Sequence, residues 1–429
     1  MNFLTPGQKI NSTRKYLKMK QEDLIDESIT RGLISMIEIG KRDLSNNVAS
    51  KIIEKFKKRA KELDIILEID RDFLLRSPSE DAELYCFKKL KEINKDTDVN
   101  KIIEIADKFN LLNIKAIGYS ELGEYYFNKK DYDEAFFYYN NSIDIYKNIK
   151  QTDKIPYLYL KIGLCKAILL NYTDALSFFN LSEQYSKIYN DKATLKRAMY
   201  NGAKCYVALN KIETALKNIE ILLTLCNKKE DHIRYINAKI LKANCYEAME
   251  NFNTAIDIYT DLLTENTDSN NSSLGYIYNN LGLAYLNKDD FNNSLNYFNK
   301  AEKFRINIDS INLSHTLIEK SGIFIKQGLY NEAIELIESG LKLANSYSDY
   351  DSLIKGNYEL IRIYKNLNDS SNLKKTYLNI ADLFNTLNKY CDLISIYVNL
   401  SIIYLDESNI EEAKKFLLMS QKYSENVAF

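Results

Sequence analysis

Eleven polar side chains in the later three quarters of this 429-residue chain fall at repeated offsets of 18, 14 or 11 positions before a recurring small residue. They are Lys161; Arg197, Asn201 and Lys204; Asn237 and Asn244; Tyr276 and Asn280; and Lys355, Arg362 and Asn399. An Asn amide can donate to a backbone C=O and accept from a backbone N–H at once, and Lys or Arg can take a terminal carboxylate. The set therefore has the chemistry to hold an extended peptide. Its densest part lies in the third to fifth repeats, and the members from Lys161 to Asn280 are the candidate peptide-binding residues.

Other reactive side chains form no such set. Cys165, Cys205 and Cys245 stand 40 residues apart at one repeated position. Sulfurs sharing an ion must each lie about 2.3 Å from it, whereas neighbouring repeats stack a helix diameter apart, so these thiols read as small buried packing residues. The six Cys include no CxxC pair, and free thiols are expected. His232 and His315 have no recurring acidic or Cys partner and read as surface or packing residues. No P-loop, GxSxG, HExxH or glycine-rich nucleotide loop occurs, so neither catalysis, a metal nor a cofactor is expected.

The elements that would position the polar set are helices in tandem. The anchors, mostly Ala with one Ser and one Leu, are Ala135, Ala175, Ala215, Ala255, Ser294, Ala333, Leu373 and Ala413, at intervals of 40, 40, 40, 39, 39, 40 and 40. Nine residues earlier stand Tyr126, Lys166, Tyr206, Tyr246, Tyr285, Phe324, Tyr364 and Tyr404; twelve earlier, mostly small residues from Gly123 to Ser401; four later, large ones from Tyr139 to Leu417. Small residues let antiparallel helices approach, and the large one is expected to fill the groove to the next hairpin. With only 13 Gly and three Pro, residues that end helices are scarce, which favours an all-α chain.

The strings Tyr119-x2-Leu122-Gly123-x2-Tyr126…Ala135-x3-Tyr139 and Tyr278-x2-Leu281-Gly282-x2-Tyr285…Ser294-x3-Phe298 resemble the tetratricopeptide repeat. The resemblance covers residues 114–429 and implies a right-handed α-solenoid of about eight hairpins, whose concave face is lined by the first helix of each.

Residues 1–64 differ. They hold 14 Lys and Arg against nine Asp and Glu, a net of +5 within a chain of net -1. Short helices are expected near Pro6, Gln21–Ile25, Arg31–Glu38 and Ser45–Lys58, with Gly40 as a left-handed helix stop. The string Gln21-x2-Leu24…Ile34-Ser35-x-Ile37-Glu38-x-Gly40-Lys41-Arg42 resembles the phage-repressor (XRE-type) helix-turn-helix. That resemblance implies that Thr30, Arg31, Gly32, Ser35 and Met36 face DNA bases, that Gln21, Lys41 and Arg42 meet phosphates, and that Arg14 and Glu38 form an internal ion pair.

Residues 65–113 read as a helical linker and capping hairpin, with a hinge at Arg76 to Ser79 and apolar faces at Leu84, Phe87, Leu90 and Ile93 and at Ile102 to Phe109. Taken whole, the architecture resembles the peptide-responsive quorum-sensing regulators of the PlcR, NprR, PrgX, Rgg and Rap group. This resemblance implies a cytoplasmic transcription factor, homodimeric or larger, that binds double-stranded operator DNA and a short linear signalling peptide. A Rap-like protein scaffold for a response regulator is the alternative it leaves open. No apolar run reaches the 18 or so residues of a membrane span.

Overall fold

The computed structural model describes residues 2–92, 96–265 and 273–427, and every regular element among them is helical. Contacts divide the chain into two units, Met1–Lys154 and Ile155–Phe429.

The first unit begins with α1 (Pro6–Tyr16), a single 3-10 turn (Gln21–Leu24), α2 (Arg31–Glu38) and α3 (Asn46–Glu62). Thr5 and Gln8 cap α1 reciprocally, with Pro6 in the first turn where its missing N–H costs nothing. Gly7 lets α1 lie on α2, because a Cβ there would stand 2.0 Å from Ile37 O. Glu38 ties the elements together: it receives Arg14 Nε at 2.9 Å, Asn11 Nδ2 at 3.1 Å and Gln21 Nε2 at 2.7 Å. Gly40 closes α2 at φ +73°, and Lys41 N–H reaches back to Met36 O. The element expected at Gln21–Ile25 is one turn only, ended by extended backbone at Ile25.

The apolar core of this head runs past residue 64, taking in Leu74 and packing Leu67, Ile69, Phe73 and Leu75 against it. α4 (Pro78–Leu90) and α5 (Asp96–Phe109) follow. The expected hinge is instead a braced segment. Lys9, 2% exposed, donates Nζ to Phe73 O and Arg76 O at 2.8 and 2.7 Å and pairs with Asp81. Arg76 bridges Asp70 and Asp81 at 2.7 and 2.8 Å, and Ser77 caps α4 with Glu80. A buried ammonium needs these partners, and meeting them fixes the backbone. α4 also buries a different face from the expected one: Ala82 and Cys86 are enclosed, Leu84 and Phe87 exposed, and Ile93 lies outside the described residues.

Eight consecutive hairpins occupy the rest. α6 (Leu112–Asn128) and α7 (Tyr132–Asn148) complete the first unit. The second holds α8 (Ile155–Ile168) with α9 (Tyr172–Ile188), α10 (Lys192–Ala208) with α11 (Ile212–Leu225), and α12 (His232–Ala248) with α13 (Phe252–Glu265). It continues with α14 (Ser273–Asn287) and α15 (Phe291–Ile308), α16 (Leu313–Lys326) and α17 (Tyr330–Tyr347), α18 (Tyr350–Asn366) and α19 (Ser370–Thr386), and α20 (Tyr390–Asp406) and α21 (Ile410–Val427).

All eight anchors are buried, and the residue twelve before, small in seven of the eight hairpins, lets the helices touch. The large residue four later lies on the residue twelve before the anchor in its own hairpin and also packs with the next hairpin, as expected: Phe179 with Ala198 and Cys205, Tyr259 with Ile277 and Leu281, and Phe298 with Ile323. A Cβ on Gly123, Gly163 or Gly282 would meet the ring of Tyr139, Phe179 or Phe298 at 2.5, 2.6 and 2.8 Å. The aromatic residue nine before the anchor stacks on the one three after it: Tyr126 on Tyr138, Tyr285 on Tyr297, and Tyr404 on Phe416, with centroids 5.3–5.6 Å apart. In the last hairpin the corresponding Leu417 is 48% exposed.

Candidate ligand groove and nucleic-acid face

Within the second unit the first helices of successive hairpins form the inner layer, α8 against α10, α12 against α14, α14 against α16 and α16 against α18. Two adjoining cavities open on this layer, of about 350 and 630 Å³, sharing Leu164 and Asn201. Lys204 borders the smaller; Arg197 and Asn237 border the larger. Four of the eight candidate residues thus converge. Arg197 lies 5.8 Å from the Tyr157 ring centroid. Asn201 Nδ2 donates to Arg197 O at 2.9 Å, which orients its Oδ1 as an acceptor, and Asn237 Oδ1 accepts from Ser273 Oγ at 3.0 Å, which orients its amide as a donor.

The other four are held elsewhere. Lys161 is 7% exposed, beside the Tyr157 ring at 6.0 Å, and is a packing residue. Tyr276 lies under the buried Arg305 guanidinium at 4.9 Å. Asn244 and Asn280 belong to a polar ladder between hairpins: Asn244 Oδ1 accepts from Tyr259 Oη at 2.6 Å and from Asn280 Nδ2 at 2.8 Å. The ladder continues from Asn279 Nδ2 to Glu319 Oε2 at 2.5 Å, and from Lys355 Nζ to Glu319 Oε1 at 2.6 Å. Buried amides must be paired, and here they pair with one another rather than with a ligand. Arg362 pairs with Glu359 and Asn399 with Ser395 O, both at 2.7 Å.

Glu319 went unnoticed in the sequence, and His315 was read only as a surface or packing residue, although they sit at the same 14- and 18-residue offsets as Asn280 and Tyr276. His315 does have an acidic partner, Glu319 one turn on at 3.4 Å. Burial opposes ionisation of Glu319, but the charges of His315 and Lys355 outweigh it and hold the carboxyl well below its ordinary range. Burial pushes the neighbouring Glu247 carboxyl up to about 8, against the Tyr259 hydrogen bond and with the field of Glu319 adding.

A second unforeseen feature is a clasp. Tyr172 Oη donates to Asp351 Oδ1 at 3.2 Å, and Lys389 Nζ to Leu170 O at 3.3 Å. The α8–α9 turn thus meets the starts of α18 and α20. The turn Ser348–Asp351 closes the smaller cavity opposite Asn201 and Lys204. Contacts across 179 and 219 residues leave no periodic mark in a sequence.

In the first unit, α2 presents Thr30, Arg31, Gly32, Met36 and Ile39 on its exposed side, with Ser35 half-buried and Lys41 and Arg42 exposed just beyond. Thr30 Oγ1 accepts from Leu33 N–H and so also caps the helix. Arg31 pairs with Glu22 at 3.1 Å, both well exposed. A Cβ on Gly32 would meet nothing within 4 Å, so no packing within the protein requires glycine there. Gln21, expected at a phosphate, has its amide on Glu38 instead. The Arg14–Glu38 pair is present as expected.

Cys165, Cys205 and Cys245 are buried as free thiols, and burial pushes Cys205 and Cys245 up to about 11. No helix among the described residues is long and apolar enough to cross a membrane.

With this geometry established, two stretches, residues 117–149 and 275–305, match the tetratricopeptide repeat family model. Among solved structures, NprR in complex with its cognate peptide NprX is similar at TM-score 0.50 and 18% identity, over 80% of this chain and 98% of that one. The array is a tetratricopeptide-like solenoid. The apo form of the quorum sensor NprR from B. thuringiensis matches at TM-score 0.48 and 19% identity, over 80% and 98% of the two chains. The Rap conjugation gene regulator of plasmid pLS20, in complex with the Phr* peptide, matches at 0.45 and 13%, over 99% and 97%. No curated protein sequence matches significantly.

Proposed function

We propose that this protein is a cytoplasmic, homodimeric transcriptional regulator that senses a short linear peptide in the groove of its repeat array and binds operator DNA through its head. The observation that carries the first half is the convergence of Arg197, Asn201, Lys204 and Asn237 on two adjoining cavities of the inner layer. Backbone-pairing amides beside guanidinium and ammonium groups suit a peptide with a free or side-chain carboxylate. NprR is recorded with a cognate peptide on a fold of this kind, which supports the same reading.

The DNA half rests on the exposed side of α2. Its bare glycine at Gly32, the exposed Arg31 and the Lys41–Arg42 pair beyond it are suited to close backbone approach and phosphate contact. One head makes few base contacts, so two-fold pairing of heads on half-sites follows. Purified protein should bind DNA from upstream of its own gene in a salt-sensitive way, and Arg31→Ala should lose sequence preference with the fold intact. Absence of salt-sensitive binding with and without peptide removes the DNA half. It would leave a scaffold for a folded protein such as a response regulator.

A further inference from the structure

On α2 the buried Ile34 and Ile37 fix which side of the helix faces inward. At about 100° per residue the opposite side is the line of Gly32, Ser35, Met36 and Ile39. Met36 is 42% exposed and Ile39 63%, Ser35 is half-buried, and Gly32 offers bare backbone with open space above it. Arg31 stands at the edge of this line with its guanidinium 3.1 Å from Glu22, and the Thr30 hydroxyl caps the helix. The outermost side of α2 thus carries one hydroxyl and two large apolar side chains, neither of which belongs to the core of the head.

We infer that Met36 and Ile39 read thymine, by burying its C5-methyl group in the major groove. The inference rests on the DNA contact proposed for α2 and specifies the base which that contact recognises. Every base pair shows hydrogen-bonding groups along the major groove, but thymine alone adds an apolar group there. A side of α2 with so few donors and acceptors cannot be satisfied by polar base edges, whereas two exposed apolar side chains gain by covering methyl groups. The surrounding charge suits the same occupant. Lys41 and Arg42 lie exposed just beyond Ile39, and residues 1–64 carry a net charge of +5, so cations flank the apolar pair as phosphates flank the methyls. The absence of a side chain at Gly32 lets the helix approach until Met36, one turn further on, touches the base edges.

Uracil pairs as thymine does and differs by the methyl alone, which separates this contact from those to phosphate. The full chain is used to select from random duplexes about two helical turns long, and the best duplex is then made with thymine and with uracil. Fluorescence anisotropy at one salt concentration gives the affinity for each. Selected half-sites should contain thymine, and uracil should weaken binding about fourfold for each methyl that is buried. Met36→Ala combined with Ile39→Ala should bring the two duplexes to equal affinity; both residues lie outside the core, so the variant stays folded. Lys41→Ala should weaken both duplexes alike and leave their ratio unchanged. Selected sites without thymine, equal affinity for the two duplexes in the wild type, or a thymine preference retained in the double variant overturns the inference while leaving DNA binding in place. Retention of no duplex at all overturns the DNA reading, and the inference with it.

Discussion

Glu247→Gln should stabilise the protein at alkaline pH, by an amount that can be worked out from its surroundings. The Glu247 side chain is half-buried on α12, with one carboxyl oxygen 3.0 Å from Tyr259 Oη and the other oxygen enclosed without a partner among the described residues. Burial raises its ionisation from 4.5 to about 8, which at ~1.4 kcal/mol per pH unit corresponds to about 5 kcal/mol. Between those two pH values the folded chain holds a proton that the unfolded chain has released. The folded state binds more protons there, so its stability falls as pH rises.

At pH 8 about half of the folded molecules keep the proton, leaving a loss of ~4 kcal/mol relative to acid, which groove water would screen to about 2–4 kcal/mol. Glutamine keeps the acceptor for Tyr259 and carries no charge. Urea unfolding of both proteins at pH 5 and pH 8 isolates the effect, because every other titrating group cancels in the difference. The variant should gain about 2–4 kcal/mol over the wild type between the two pH values. A difference independent of pH, or one that favours the wild type at pH 8, refutes the burial argument.

Four further outcomes follow from the packing. Lys9→Met leaves two carbonyls without their donor and Asp81 with Arg76 alone, and should cost about 1–3 kcal/mol in thermal or urea unfolding of the head. Gly163→Ala drives a methyl into the Phe179 ring at 2.6 Å and should cost about 1–3 kcal/mol, whereas Gly32→Ala, with open space around it, should not destabilise α2. Glu250→Gly should stabilise by about 1 kcal/mol, since Glu250 sits exposed at φ +59° where only glycine is unstrained. Tyr172→Phe combined with Lys389→Ala removes both clasp bonds and should enlarge the radius of gyration in solution scattering with little loss of stability; an unchanged radius would show that the clasp does not hold the array closed.

The anchors made the hairpins legible because each is buried by its own neighbours, at fixed sequence distance. Turn chemistry was not legible. Five residues before each anchor the backbone adopts positive φ, at Lys130, Leu170, Asn210, Glu250, Asp289, Gly328, Asn368 and Ser408, and glycine fills only one of these places. The N–H of the following residue bonds to the carbonyl of the aromatic position, as from Asp131 to Tyr126 and from Asn409 to Tyr404. That repeated backbone bond holds a conformation the side chains do not advertise, so scarcity of glycine did not mean scarcity of turns.

The groove was legible in outline and misread in part. Offsets of 18, 14 and 11 do pick the inner layer, but they cannot say whether an Asn meets solvent or another repeat. Asn201 borders a cavity, while Asn280 at the same offset is 7% exposed and bonded to Asn244. In the head, Gly40 was readable from local spacing, and the Arg14–Glu38 pair only through the resemblance to the helix-turn-helix. Gln21 was not, because Glu38 gathers three donors from elements that the chain brings together only on folding.

The central claim is that a linear peptide binds where Arg197, Asn201, Lys204 and Asn237 converge. Its most direct measurement is selection of linear heptapeptides on the full chain, followed by titration of the best one against wild type, Asn201→Ala and Asn280→Ala. Saturable binding should fall at least tenfold in Asn201→Ala, with Asn280→Ala acting through stability of the ladder and altering affinity less. Retention of no peptide, or equal affinity for wild type and Asn201→Ala, would contradict it.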